Sequence, residues 1–277
     1  MGSKTLYVSD MDGTLLGSDS RISATSAALL NRLIDERDVL FTVATARTPA
    51  TVVPLMANVK ARLPYIVLAG AAMWDNSRQQ YVDVQAIDTG TVGTICDIFE
   101  QHGLHPFIYR HHGNMIYAHH YGELSPQEST FVAERQGSPL KRFFLDDSDY
   151  RTSPDEAMLI FSMHRYDTLE TIYNQVRATV PTCNPMFYHD IFDPNVGLLE
   201  IYADGSTKAA AIRRLAGRIG ADRIVAFGDN RNDIAMMQAA DHSVAVSNAV
   251  PEVLAIASEV IGPNTNDSVP QWIEKHV

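Results

Sequence analysis

Short apolar runs and helical periodicities alternate at both ends of the chain. Leu6-Tyr7-Val8 is a compact strand-like run, followed by a polar stretch from Ser9 to Ser20. Between Ser23 and Asp38 the residues Ala27, Leu29, Leu30, Leu33 and Ile34 recur at helical spacing, and Ser23 suits the cap. Val39-Leu40-Phe41-Thr42-Val43 predicts a second strand, and Pro49 fits the first turn of the helix after it. Tyr65-Ile66-Val67-Leu68 predicts a third strand before a turn at Gly70. The rhythm resumes late, with a helix over about 207–218, a strand over 223–227, a helix over 232–240, a strand over 244–246 and a helix over 251–258. Strands alternating with helices imply a parallel sheet covered by helices. Both ends of the chain read as halves of that sheet.

The middle has another pattern. A helix over 89–102 precedes strands at 107–110 and 115–119, which flank His111-His112-Gly113-Asn114. Gly113 and Asn114 both tolerate positive φ, so a hairpin is expected there. Strands over 158–163, 186–192 and 198–202 and a helix over 167–179 complete an α+β segment, expected to carry its helices on one face. The division is therefore 1–81 and 204–277 for an α/β, Rossmann-like parallel-sheet core, with 82–203 inserted as a separate α+β domain.

Composition narrows the partners. The 277 residues are 45% apolar and 20% charged, which is ordinary for a globular protein. Lysine and arginine number 22 against 33 acids, a net charge of −11 that disfavours binding a nucleic-acid backbone. Any phosphate handled here needs local positive charge or a metal. No apolar stretch approaches the roughly 20 residues of a membrane span. The start, Met1-Gly2-Ser3-Lys4-Thr5 and a short run broken by Asp10 and Asp12, does not read as a signal peptide. Cys96 and Cys183 make no disulfide framework and lack metal-site spacing. A soluble, cytoplasmic protein without membrane or nucleic-acid partners is expected; monomer and homodimer both stay open.

Four signals sit at expected strand ends, where an α/β sheet opens its ligand crevice. Asp10-Met11-Asp12-Gly13-Thr14 follows the first strand. Acids two residues apart there repel unless a cation lies between them or one is protonated. Gly228-Asp229-Asn230-Arg231-Asn232-Asp233 follows the strand ending Val225-Ala226-Phe227. Alone, the first loop would also suit an exposed acidic turn, and the second a helix start capped by Asp or Asn. Thr45, in Thr45-Ala46-Arg47, offers a hydroxyl and nearby N–H groups for phosphate oxygens. Lys208 stands at a helix start, where a cation opposes the helix dipole unless an anion accompanies it.

In this order, the motifs resemble those of the haloacid dehalogenase superfamily of phosphotransferases. The run from Ala226 to Met237, then Val244-Ala245-Val246-Ser247-Asn248-Ala249, looks like its Cof-type, sugar-phosphatase-like branch. The large insertion between Thr45 and Lys208 resembles the type IIB, or C2-cap, class, so the inserted domain would be a cap. The likeness covers about the first eighty and last seventy-five residues. It implies that Asp10 is the nucleophile that forms an aspartyl-phosphate and that Asp12 is the general acid and base. Mg2+ would be held by Asp10, the Asp12 main-chain carbonyl and Asp229, with Asp233 in support. Thr45, Lys208 and Asn232 would bind phosphoryl oxygens. Ala46 replaces the family's usual Gly, and Ala69-Gly70-Ala71 replaces Asn-Gly-Ala. The implied activity is a Mg2+-dependent phosphatase for a small phosphorylated metabolite, sugar phosphates first. A phosphomutase using the same aspartates and a non-catalytic phosphate-binding module are the alternatives.

Other features read as structural. His111-His112 and His119-His120 are adjacent pairs on strands, point to opposite faces and are expected to be exposed. Phe187, Tyr188 and Phe192 read as core, Met236-Met237 as packing, and Cys96 as buried and inert.

Overall fold

The computed structural model describes residues 4–190 and 193–277. The chain divides into two compact units, Met1–Val82 with Thr207–Val277, and Asp83–Ser206. Met1-Gly2-Ser3 of the N-terminal reading and Phe192 of the aromatic one lie outside the described residues.

The first unit is built on a parallel five-stranded sheet. Its order is Glu259–Ile261, His242–Val246, Arg223–Gly228, Thr5–Ser9, Leu40–Val43. The first and last thirds of the chain meet at its centre, where Ser9 lies beside Phe227 on one side and Val43 on the other. Central strands read as continuous apolar runs because both faces are covered; Leu6, Val8, Val43, Ala226 and Phe227 are all buried. The helix Ala24–Arg37 starts on Ser23, whose side chain accepts from the Ser26 N–H, and ends on Asp38 in the left-handed region. Pro49 opens the helix Pro49–Leu55, where its missing N–H costs nothing. The expected helix over 232–240 is instead a 3-10 turn, Arg231–Asp233, running into a short α-helix, Ile234–Ala239.

A three-stranded antiparallel sheet, Tyr65–Val67, Ala72–Asp75 and Gln80–Val82, completes this unit. Its last two strands carried no alternation strong enough to read. Among the described residues, no helix is long and apolar enough to cross a membrane.

The second unit holds a six-stranded sheet, antiparallel except for the pairing of Met115–His119 with Lys141–Phe144. The helices Thr89–Glu100 and Tyr166–Thr179 pack on one face, enclosing Ile108, Ile160, Leu199 and Ile201. A third helix, Pro126–Arg135, corrects the expectation that helices would share one face. Its Phe131 ring lies 5.0 Å from Phe161 and 6.1 Å from Phe107. These two adjoin Ile160 and Ile108 along their strands and so point to the opposite face. In the hairpin, Gly113 alone takes positive φ, at 60°, and Asn114 does not.

Further side-chain readings change: His111 and His119 are half-buried rather than exposed. His120 is buried, not exposed, because it continues the alternation of Ile116 and Ala118 and packs on Phe107 at 4.6 Å. Tyr188 is exposed, since its strand, Cys183–His189, is at the sheet edge. Phe187 is half-buried against the core cluster. Met236, Met237 and Cys96 are buried, and burial pushes the Cys96 thiol up to about 11, which leaves it unreactive.

Candidate active site

Asp10 stands one residue beyond the central strand and is held there by its N–H, which donates to the Phe227 carbonyl at 2.9 Å. The chain then winds through a tight turn, Met11–Leu15, in which Gly13 takes φ +79°. A Cβ on Gly13 would come within 2.4 Å of Asp229 Oδ2, so only glycine allows the two loops to approach this closely. Thr14 Oγ1 donates to Asp229 Oδ1 at 2.7 Å, and Asn248 Nδ2 donates to the Gly13 carbonyl at 2.8 Å. These bonds tie the first loop to the distant end of the chain.

Lys208 Nζ donates to Asp10 Oδ1 and, at 2.7 Å, to Asp233 Oδ1. The other Asp233 oxygen accepts from the N–H groups of Asp229 and Asn230, each at 3.2 Å. Asp10, Asp229 and Asp233 each bring a carboxylate oxygen within 4.8 Å of the others. Three acids against one ammonium leave this cluster short of positive charge. Burial pushes Asp10 up to about 7, with Lys208 pulling down and Asp233 pushing further up. Burial likewise pushes Asp229 up to about 6 against the bond from Thr14. Burial pulls the Lys208 pKa down, but Asp10 and Asp233 hold it above the ordinary value. Three hard carboxylate oxygen donors within 4.8 Å of one another, with a single ammonium between them, are a donor set that fits Mg2+.

The Asp12 carboxylate does not join the three. It is half-exposed and turned to Arg47, whose Nε and Nη2 donate to its two oxygens at 2.7 and 2.5 Å. Thr45 is buried at the end of the adjacent strand, and its Oγ1 accepts from the Arg47 N–H at 3.1 Å. Asn232 is exposed on the 3-10 turn. Arg47, Thr14 and Asn248 were missed as site residues. The signal for Thr14 and Arg47 was position alone, the first in the acidic motif and the second two residues beyond Thr45.

The loop beside Thr45 is bound to it through main-chain groups. Ala69 N–H donates to the Thr45 carbonyl and Leu68 N–H to the Arg47 carbonyl, both at 3.0 Å. Leu68, Ala69 and Gly70 have φ of 51°, 53° and 102°. A Cβ on Gly70 would lie 2.3 Å from the Thr207 carbonyl oxygen, so this glycine is required for the approach of the segment that carries Lys208. Ala46 is outside the left-handed region, and its departure from Gly needs no compensation.

The family model for haloacid dehalogenase-like hydrolases matches residues 7–273. The chain is 25% identical over 275 residues to the pyridoxal phosphate phosphatase YbhA of Escherichia coli, covering 97% of each. It is 24% identical to the 5-amino-6-(5-phospho-D-ribitylamino)uracil phosphatase YcsE of Bacillus subtilis, covering 98% of this chain and 95% of that one. Among solved structures, the subclass IIB sugar phosphatase BT4131 superposes with a TM-score of 0.72 at 19% identity, with 99% of both chains covered. That likeness shows a shared fold.

Proposed function

The chain belongs to the haloacid dehalogenase-like hydrolases and is a phosphatase of that family, and we propose that it is a Mg2+-dependent hydrolase of small phosphomonoesters working through an aspartyl-phosphate on Asp10. Relatives named for pyridoxal phosphate and for a phosphorylated ribityl compound support a small phosphorylated metabolite as substrate. A sugar phosphate remains the first choice within that class. One observation carries the reading: Lys208 bonds Asp10 and Asp233 at once, while Asp229 lies within 4.8 Å of both.

An Asp10 carboxylate oxygen attacks phosphorus and forms the new P–O bond as the ester P–O bond breaks. The departing oxygen takes its proton from the protonated form of Asp12, and the carboxylate that results is the form Arg47 holds by both oxygens. In the second half-reaction Asp12 takes a proton from water, whose oxygen attacks phosphorus and releases inorganic phosphate and the Asp10 carboxylate. Lys208 favours the ionised form of Asp10 against burial and offers its charge to the transferring phosphoryl group, together with the Thr45 hydroxyl and Asn232. Asp10, Asp229 and the Asp12 carbonyl, supported by Asp233, would hold Mg2+, which when bound neutralises the acids and the phosphoryl oxygens.

The test is release of inorganic phosphate from a panel of phosphorylated metabolites with Mg2+, by wild type and by Asp10→Asn. Turnover by wild type and loss of about a thousandfold or more in the variant are expected. A variant as active as wild type would remove Asp10 from the chemistry.

A further inference from the structure

We propose that the second unit pairs with a second copy of this chain through the outer edge of the strand Lys141–Phe144, the two strands antiparallel about a two-fold axis at Phe144. Among the described residues this strand is the last of the six-stranded sheet, so its outer side has no strand neighbour. The inner side is occupied. Ile116 N–H donates to the Leu140 carbonyl at 3.0 Å and His120 N–H to the Phe144 carbonyl at 2.8 Å. Main-chain groups alternate in direction along a strand, so those of Phe143 point away from the sheet. The next inward bond is from Asp147 N–H to the His120 carbonyl, at 3.0 Å, which leaves Leu145 and Asp146 on the outer side as well.

Natural sheets blunt an open edge with proline or with outward charges. The opposite edge strand, Cys183–His189, carries Pro185. Lys141–Phe144 has no proline, and its lysine is turned inward: Lys141 is buried and its Nζ donates to the Tyr109 hydroxyl at 2.9 Å. The outer surface is apolar instead, with Phe144 48% and Leu145 42% exposed. Phe144 stacks on His119 at 5.3 Å, which holds the ring in place.

The order of charges identifies the occupant. Arg142-Phe143-Phe144-Leu145-Asp146 is basic at one end, apolar in the middle and acidic at the other. Two copies laid antiparallel with Phe144 facing Phe144 bring Arg142 opposite Asp146 of the second copy, and Phe143 opposite its Leu145. The two-fold axis makes each pairing twice. In this register Phe143 and Leu145 exchange N–H to carbonyl bonds, and the Phe144 pair takes the closer position without such bonds. A slip that sets Arg142 against Arg142 opposes like charges. Arg142 and Asp146 are both exposed. The bonds from Arg142 to the Ser138 and Lys141 carbonyls use Nη1, which leaves Nε and Nη2 to reach Asp146. A chain at −11 repels its own copies in general, so self-association needs such a local match. An unrelated strand would gain the main-chain bonds without the reciprocal charges. Every residue named belongs to the second unit, so the contact is independent of the phosphatase chemistry.

The experiment is sedimentation equilibrium of the full chain over about 1–200 μM at about physiological salt. One strand a side is a small interface, so a monomer–dimer equilibrium with Kd of about 10–100 μM is expected. Arg142→Glu and Asp146→Lys should each weaken it about tenfold, and the two together should restore it by re-forming the pair with its signs exchanged. Circular dichroism checks the fold of each variant. Phe144→Cys should cross-link two chains under mild oxidation, since Cα atoms at that position stand about 4.5 Å apart across the axis. Arg142→Cys, opposite an aspartate, should not; Cys96 and Cys183 are buried and do not interfere. If a charge variant fails to fold, the Phe144→Cys cross-link decides. A chain that stays monomeric over the whole range overturns the proposal. So does a dimer that survives both charge reversals and leaves Phe144→Cys without a cross-link, which would place the contact on another surface.

Discussion

Arg47 grips Asp12 by both carboxylate oxygens, Nε to Oδ2 at 2.7 Å and Nη2 to Oδ1 at 2.5 Å. The two residues lie in the loops that follow adjacent parallel strands, and a bidentate fork fixes the carboxylate plane as a single ammonium would not. Because Asp12 is half-exposed, the pair adds little to stability, about 1 kcal/mol at most. Its value lies in orientation.

Arg47→Ala should therefore lower kcat by about tenfold to a hundredfold with the fold unchanged. Arg47→Lys, with one point of attachment, should fall between. Steady-state phosphate release alongside circular dichroism checks this; unchanged kcat in Arg47→Ala would show that Asp12 needs no such holding.

Metal affinity should depend on pH. Asp10 and Asp229 have pKa values raised to about 7 and about 6, so they take up protons as pH falls through that window. Mg2+ must displace those protons. Binding should weaken by about tenfold or more between about pH 8 and about pH 5.5, with proton release on titration. Calorimetry in buffers of different ionisation enthalpy measures both; equal affinity at the two pH values would contradict the assignment of these carboxylates as ligands.

Ala69 sits at φ 53° between two other left-handed residues. An alanine there is strained, whereas asparagine tolerates this region better. Ala69→Asn should stabilise the protein by about 0.5–1 kcal/mol, visible as a higher midpoint in urea. A lower midpoint would mean that the larger side chain does not fit beside Thr45.

His120 links the second unit's stability to acid. Burial lowers its folded pKa to about 4, against an ordinary value of 6.5. The unfolded chain therefore binds the extra proton between those values. The stabilising contribution is fully present above about 6.5 and drains away as pH falls toward 4, up to about 3 kcal/mol. His120→Phe, which keeps the packing on Phe107, should flatten that part of the pH–stability curve. An unaltered slope would assign the acid sensitivity to other groups.

Much of the architecture was legible along the chain because it rests on local periodicity. Ser23, Pro49 and the run 27–34 mark their helices through capping and spacing, and the central strands are unbroken apolar runs. Asp10, Asp229 and Lys208 could be picked out because acids and a cation at strand ends are costly without a purpose. The inserted unit was less legible. The helix Pro126–Arg135 has a weak apolar stripe, and the depth of His120 follows from an alternation that two adjacent histidines obscured.

Tertiary structure decided what depends on contacts between distant segments. Lys208 meets Asp10 across 198 positions and Thr14 meets Asp229 across 215, separations over which no local pattern carries information. Gly13 and Gly70 were visible as turn residues, yet their need to be glycine comes from Asp229 and the Thr207 carbonyl standing where a Cβ would go. Periodicity determines which elements form, because it acts within a few residues; only folding brings side chains far apart in the chain to within hydrogen-bond reach.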